Sequence, residues 1–308
     1  MKLTPWLKYL PLLLVASCLA PVAVTQAYPI GSSVQIAQAR TDYDKYMRLG
    51  YAATANRDYT AALVSFRRAM SVVPGDRYAS NAVRNVSSYV ASQGNSRLAF
   101  VPPNWGAPGN RQGGATRAGV ACASGKKGLT ALVPATNLGM TTAEYPELYF
   151  YIPKTSAQKM ELALLDENDR EIYQTAVAPN RTPGIVKINF ADFKDLPPLK
   201  SQKKYHWYVS LICDANDRSA DISVDGWVQR IQPEPMLASE LERSTAKESV
   251  SLYAVNGIWY DTVAALAQTR QSSPTSSLLA KDWKDLLTSV GLEGIASEPL
   301  VECCTLRN

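Results

Sequence analysis

Histidine is nearly absent from this sequence, since His206 is the only one in 308 residues. The five cysteines include no Cys-x-x-Cys pair. Zinc sites draw their ligands from clustered cysteine and histidine, so we expect neither a metal ion nor a cofactor. After residue 27, no apolar run approaches the ~20 residues that a membrane-spanning helix needs.

The chain also lacks a strong charge of either sign. Its formal net charge is +5. Removal of residues 1–27, which contain two lysines and no acidic residue, would lower it to +3. Nucleic-acid-binding domains usually carry a markedly basic face, so we predict no nucleic-acid partner.

The N-terminus has the composition of a secretory signal peptide. Lys2 and Lys8 lie near its start, and residues 9–20 are almost entirely apolar. That run is too short to span a bilayer. Small residues would permit cleavage after Ala27 or after Ala39. We predict a signal peptide over residues 1–27 and export to the periplasm or the outer cell envelope.

A lipid anchor is the alternative fate of this segment. Val15-Ala16-Ser17-Cys18 resembles a bacterial lipobox, which would place a lipid on Cys18. The sequence leaves cleavage and lipidation open. Contact with a membrane is expected only through such a lipid or through an uncleaved signal peptide.

Four cysteines remain after Cys18, and an even number in an oxidising compartment indicates disulfides. Cys122 and Cys213 adjoin strand-like segments and are the predicted pair; two unpaired buried thiols are the alternative. A bridge closing so long a loop would stabilise the fold by ~4 kcal/mol. A ring between adjacent residues is strained, so we expect Cys303 and Cys304 to be free thiols or linked to another chain.

Residues 41–93 have helical periodicity and resemble about one and a half tetratricopeptide repeats. The matching positions are Tyr46, Leu49, Gly50, Ala53, Ala62, Phe66, Ala69 and Pro74. Leu49 and Ala53 are predicted to pack on Leu63, Phe66 and Met70, and the small Gly50 and Ala62 allow close approach. About three such repeats usually form a continuous core, so these helices are expected to need the rest of the chain or a partner. An ordinary helical hairpin is the alternative.

The remainder of the chain predicts an α+β protein. Residues 94–119 are rich in proline and glycine and indicate a linker. Residues 120–232 alternate apolar and polar side chains in about seven segments, as in an antiparallel immunoglobulin-like or fibronectin-like β-sandwich. The predicted strands are 129–133, 147–152, 159–165, 171–177, 184–190, 204–213 and 219–231. Residues 233–298 are predicted to be a helical tail packed on the sandwich, with helices at 236–243, 246–255, 259–270 and 276–290, and residues 299–308 form a final tail.

The alternation of side chains along the predicted strand, called strand parity, decides on which face His206 is expected to lie. Trp207 and Cys213 share one face of the predicted strand, and His206 takes the other. If Cys213 is bridged in the core, His206 is a surface residue, and spacing places no serine, cysteine or carboxylate beside it. We therefore predict no catalytic residue.

Several short motifs between residues 117 and 299 are similar to a cyanobacterial family known as domain of unknown function number 928. They are Leu132-Val133-Pro134, residues 148–153, Leu165-Asp166-Glu167, Tyr205-His206-Trp207, residues 213–219, residues 224–230 and residues 257–261. The resemblance implies an exported β-sandwich with a helical tail and no established activity.

Three interpretations of function follow. We expect an exported, non-catalytic envelope protein that binds or scaffolds another envelope protein. A carbohydrate-binding or adhesin-like sandwich is the alternative, and the aromatic residues that suggest it are Tyr149, Tyr151, Tyr173, Tyr205, Tyr208 and Trp227. A hydrolase is the third, suggested by Glu144, Glu147, Asp166 and Asp225, although spacing pairs no two of these carboxylates.

Overall fold

A computed structural model describes residues 31–55, 57, 59–92, 98, 100, 102, 106–113, 122–179 and 181–306. The predicted signal peptide and the candidate lipidation site Cys18 lie outside these residues. In the described part, helices and β-sheets occupy separate stretches of the chain, so the mixed helix-and-sheet class is confirmed. No described helix is both long enough and apolar enough to cross a bilayer.

The first unit, called the helical front, consists of α1 (Gly31–Ala55), α2 (Tyr59–Val72) and α3 (Arg77–Ser92). Its core contains Met47, Leu63 and Phe66. Gly50 permits the close approach of α1 and α2, because a Cβ there would lie 2.4 Å from the Phe66 ring. The expectation that Leu49 packs in this core is wrong, since it is 49% exposed. The buried face of α1 passes through Met47 and Gly50, which places Leu49 beside it.

Eleven strands follow in the described residues, against seven predicted. They are β1 (Ala123–Ser124), β2 (Thr130–Ala131), β3 (Leu138–Thr141), β4 (Glu147–Ile152), β5 (Lys154–Thr155), β6 (Lys159–Leu165), β7 (Glu171–Ala178), β8 (Gly184–Asn189), β9 (Lys204–Ile212), β10 (Ile222–Arg230) and β11 (Thr305–Leu306). A six-stranded sheet has the order β11-β7-β6-β9-β10-β3, a three-stranded sheet has the order β2-β4-β8, and β1 pairs with β5.

The six-stranded sheet is mixed, which corrects the antiparallel prediction. β3 pairs in parallel with β10, with Leu138 opposite Trp227. All four residues of β3 are buried, so it shows no alternation that could identify it in the sequence. By contrast, β6 alternates as expected, with Met160 and Leu162 buried and Glu161 between them partly exposed.

The main core contains residues of both larger sheets. Phe150 of β4 meets Trp207 of β9 edge-to-face, with ring centroids 5.3 Å apart. Gly226 of β10 lies against the same indole, and a Cβ at this position would fall 2.4 Å from a Trp207 ring carbon. The glycine is therefore required by the space that the buried tryptophan occupies.

The helical tail consists of α4 (Pro235–Arg243), α5 (Ala246–Val255), α6 (Trp259–Ser272) and α7 (Ser277–Ser289). Trp259 Nε1 donates to the Leu132 carbonyl at 2.7 Å. Tyr260 Oη donates to the Trp227 carbonyl at 3.0 Å and accepts from Trp207 Nε1 at 2.9 Å. These bonds tie α6 to the β-structure.

Residues 106–113, within the predicted linker, are hydrogen-bonded to neighbouring parts of the fold. Gly113 N donates to the Leu129 carbonyl at 2.8 Å. Arg111 Nη1 donates to the carbonyls of Val133, at 3.1 Å, and Val290, at 2.7 Å. This segment therefore joins the start of the sheets to the end of α7.

The tail also reaches the helical front. α5 contacts α2 and α3, and Val255 at the end of α5 belongs to the core of the front. Helices α2 to α5 line the polar cleft described below.

Candidate binding surface

The structure joins Cys122 to Cys213, as predicted, with their Cα atoms 5.1 Å apart. The bridge connects the residue before β1 to the residue after β9. The Cys122 carbonyl also accepts hydrogen bonds from Thr155 Oγ1 at 2.7 Å and Ser156 N at 2.8 Å. This pair is therefore a structural element of the β-domain.

The structure also joins Cys303 to Cys304, so the expectation of free or intermolecular thiols is wrong. Both side chains are half-buried against the main core. The chain is held on either side, because Val301 N donates to the Ile185 carbonyl at 2.9 Å and β11 pairs with β7. Two adjacent cysteines held in this way are positioned to close the ring.

His206 departs from its predicted environment. It faces away from Trp207, as strand parity indicated, but it is buried, with 7% of its surface exposed. Trp227, its partner in the β9–β10 register, stacks on the imidazole with centroids 4.2 Å apart. Nε2 lies 2.9 Å from Asp225 Oδ2, and Nδ1 lies 3.2 Å from Asp169 Oδ1. The neighbouring strand β10 and the turn after β6 supply these contacts. The alternation of side chains along β9 alone cannot reveal contacts from other segments.

His206, Trp227, Asp225 and Asp169 form a group, called the histidine cluster, that anchors a loop. Asp225 Oδ1 accepts a hydrogen bond from Asn110 N at 2.8 Å, and Trp227 Nε1 donates to the Pro108 carbonyl at 3.0 Å. Burial, reinforced by the charges of Asp225 and Asp169, raises the pKa of Tyr208. Both ring nitrogens of His206 face carboxylates, so the geometry is that of a packed polar cluster that fixes residues 108–110 to β10.

The carboxylates behind the hydrolase interpretation each have a separate partner. Glu147 Oε1 accepts from Lys187 Nζ at 2.9 Å. Glu144 pairs with Arg230 at 3.1 Å, and Asp166 pairs with Arg170 at 3.0 Å. Asp225 belongs to the histidine cluster.

Half of the aromatic residues behind the glycan interpretation are buried, namely Tyr149, Tyr151 and Tyr205. These three side chains cannot stack on a sugar. Tyr173, Tyr208 and Trp227 are partly buried.

Large exposed apolar side chains mark a different part of the molecule. In the described residues they are Leu49, Tyr51, Val73, Tyr78 and Tyr89. All five lie on the helical front or in the turn after α2, and Tyr78 is 74% exposed. The sequence analysis did not single out this surface.

Three of these residues surround a depression of about 380 Å³, called the tyrosine groove. Its lining comprises Tyr51 and Thr54 of α1, Phe66 of α2, and Tyr78, Asn81, Ala82, Asn85, Val86, Ser88 and Tyr89 of α3. Tyr89 stacks on Tyr59 with centroids 5.2 Å apart, and Tyr51 meets Phe66 at 5.0 Å. The groove thus presents ring faces and two amide side chains to solvent.

A larger depression, the polar cleft, lies on the other flank of α3 and has a volume of about 700 Å³. Its lining comprises Leu63 of α2, Arg84, Ser87 and Ser88 of α3, Ser239, Glu240 and Arg243 of α4, Ser244 between the helices, and Glu248, Ser251, Leu252 and Val255 of α5. Ser88 lines both depressions, so they meet across α3.

Comparison with known proteins identifies the β-domain and its helical tail. The family model described as Domain of Unknown Function (DUF928) matches residues 112–300. The chain belongs to the DUF928 family. The match agrees closely with the segment in which the sequence motifs lie, and it begins after the helical front. In this DUF928 protein the tyrosine groove therefore lies outside the family domain. The polar cleft lies between the helical front and that domain.

The search of curated proteins found no match for this DUF928 chain. Among solved structures, the fn3 domain of the human collagen alpha-1(XX) chain is similar at 15% identity. The alignment covers 37% of this chain and 93% of that one, with a TM-score of 0.21.

Proposed function

We propose that this DUF928 protein is an exported, non-catalytic binding protein of the cell envelope whose helical front engages a segment of another envelope protein. The observation that carries the proposal is the location of the exposed large apolar side chains, all of them on or beside α1–α3 in the described residues. Contiguous exposed apolar surface commonly marks an interaction site. Tyrosine is among the residues that contribute most at such sites.

Two finer structural assignments belong to this proposal. The helical front is a tetratricopeptide-like unit, which the helix–turn–helix arrangement and the close approach at Gly50 support. The β-domain is immunoglobulin-like. Its main strands divide between the three-stranded sheet β2-β4-β8 and the run β7-β6-β9-β10 of the six-stranded sheet, and two facing sheets are the architecture of that fold.

Photo-crosslinking in the native host tests the proposed surface. A benzophenone amino acid replaces Tyr78 in the tyrosine groove or, as a control, the exposed Lys154 of β5. We expect a protein adduct from position 78 and none from position 154. The same adduct from both positions, or none from position 78, contradicts the proposal. A position-78 adduct sensitive to glycosidase would favour a glycan partner.

Export is tested by mass spectrometry of the native protein. We expect an N-terminus at Tyr28 or Arg40, or an acylated Cys18. A retained Met1 in a cytoplasmic fraction contradicts the proposed location.

A further inference from the structure

Two buried polar atoms at the junction of the helical front and the tail have no hydrogen-bond partner among the described residues. They are Arg67 Nη1 on α2 and Ser87 Oγ on α3. Buried polar groups in folded proteins are nearly always paired, so each exception needs an explanation. Burial lowers the pKa of Arg67 to about 10, with the charge of Glu240 acting in the opposite direction.

Both atoms belong to the neighbourhood of the polar cleft. Ser87 lines the cleft directly. Leu63, one helical turn before Arg67, also lines it. Glu240, the carboxylate whose charge acts on Arg67, lies on the opposite wall. Ser87 therefore lies at the surface of the cleft, whereas Arg67 is not one of its lining residues.

Two arginines that line the cleft have guanidinium groups that can bind an acidic ligand. Arg84 is exposed and takes part in no ion pair or hydrogen bond within the described part of the chain. Arg243 bonds only within its own helix, to the Ser239 carbonyl at 3.0 Å and to Ser239 Oγ at 2.9 Å. Of the two acids on the tail wall, Glu248 is bonded to Thr245, and these bonds lower its pKa.

We infer that the polar cleft binds an acidic stretch of the partner polypeptide, with carboxylates on Arg84 and Arg243 and an acceptor oxygen on Ser87. The inference rests on the proposed function, because Ser88 connects the cleft to the tyrosine groove and one extended segment can occupy both. Guanidinium groups favour carboxylates because they donate in a planar fork.

The lining favours a peptide over a glycan. None of the described residues that line the cleft is aromatic, so a sugar ring would find no face on which to stack. The serine hydroxyls can bond to a peptide backbone, and the two arginines can bond to acidic side chains. A volume of about 700 Å³ lies within the usual range of ligand sites.

The probe is a phage-displayed library of random linear dodecapeptides, selected on the exported full-length protein. Three variants are selected in parallel: Arg84→Gln, Tyr78→Ser and Arg77→Gln. Arg77 is the matched control, because it is an exposed arginine of the same helix that lines neither depression. We expect acidic residues to be enriched on the wild type and on Arg77→Gln, and the enrichment to disappear on Arg84→Gln.

A double-mutant cycle then locates the contact. For one selected peptide, Arg84→Gln should weaken binding about tenfold, equivalent to about 1.4 kcal/mol. Replacement of the acidic peptide residue by its amide should weaken binding to the wild type by a similar factor. The two changes together should cost little more than either alone, because each removes the same interaction.

The outcomes separate the two proposals. Peptides that need Tyr78 but show no acidic preference, or that bind Arg84→Gln and Arg77→Gln equally, overturn the acidic-segment inference and leave the proposed function standing. Absence of any enrichment over a blank support overturns both.

Discussion

Replacement of Arg67 by methionine should stabilise the unliganded protein. Arg67 is partly exposed, but its Nη1 atom is shielded from solvent and has no partner. A buried polar group left unsatisfied costs roughly 1–3 kcal/mol. Methionine keeps an unbranched apolar stem of similar reach and removes the unpaired donor. The neighbouring carboxylate of Glu240 remains partly exposed and hydrated.

Urea unfolding followed by circular dichroism measures the effect. We expect the free energy of unfolding of Arg67→Met to rise by about 1–3 kcal/mol. Arg68→Met is the control, since Arg68 is exposed on the same helix and its guanidinium lies 5.9 Å from the Tyr46 ring centroid. Its removal deletes the same charge together with this cation–π contact and should lower stability by no more than about 1 kcal/mol.

A loss of more than about 1 kcal/mol of stability in Arg67→Met would refute the reasoning, since it would mean that the guanidinium is already satisfied in the folded protein.

Three further substitutions test the β-domain and its tail. Cys213→Ser should cost about 2–5 kcal/mol in urea unfolding through loss of the bridge, and non-reducing peptide mapping of the wild type should recover that bridge. Gly226→Ala should cost about 1–3 kcal/mol by the same measurement, because the added methyl collides with the Trp207 indole. Burial raises the pKa of Asp261 despite hydrogen bonds from Thr142, so the protonated carboxyl group favours folding below its ordinary pKa of 3.8, and this contribution is lost as pH rises above it. Asp261→Asn should therefore gain stability relative to the wild type as pH rises from 3.8, and an unchanged difference between pH 4 and 7 would contradict this.

The sequence predicted correctly the strands and helices whose formation depends on residues close together in the chain. The observed bounds of β6 and α5 equal the predicted ones. β6 alternates in burial, and α5 begins with a capping box in which Thr245 and Glu248 bond reciprocally. The Cys122–Cys213 bridge was predicted because both cysteines adjoin strand-like segments, and the structure contains it.

Contacts between distant segments account for the errors. His206 was expected at the surface because parity describes one strand, whereas its burial comes from Trp227 on the next strand and from Asp169 in a turn. β3 was missed because it is buried on both faces and pairs in parallel with a strand far along the chain. Leu49 was misplaced by one position on the helix, which is enough to move a side chain from the core to the surface.

The candidate binding surface was the least predictable part, for a related reason. Arg67 and Arg68 are adjacent cations on an amphipathic helix, and their order does not show which of them carries a buried atom without a partner. They differ only because α4 and α5, more than 150 residues later, return to α2 and place Glu240 near one of them. An unsatisfied donor is a property of the assembled junction, since it exists only where two segments exclude water without pairing the group. Such a group is therefore specified by the contact between the two segments and by neither segment alone.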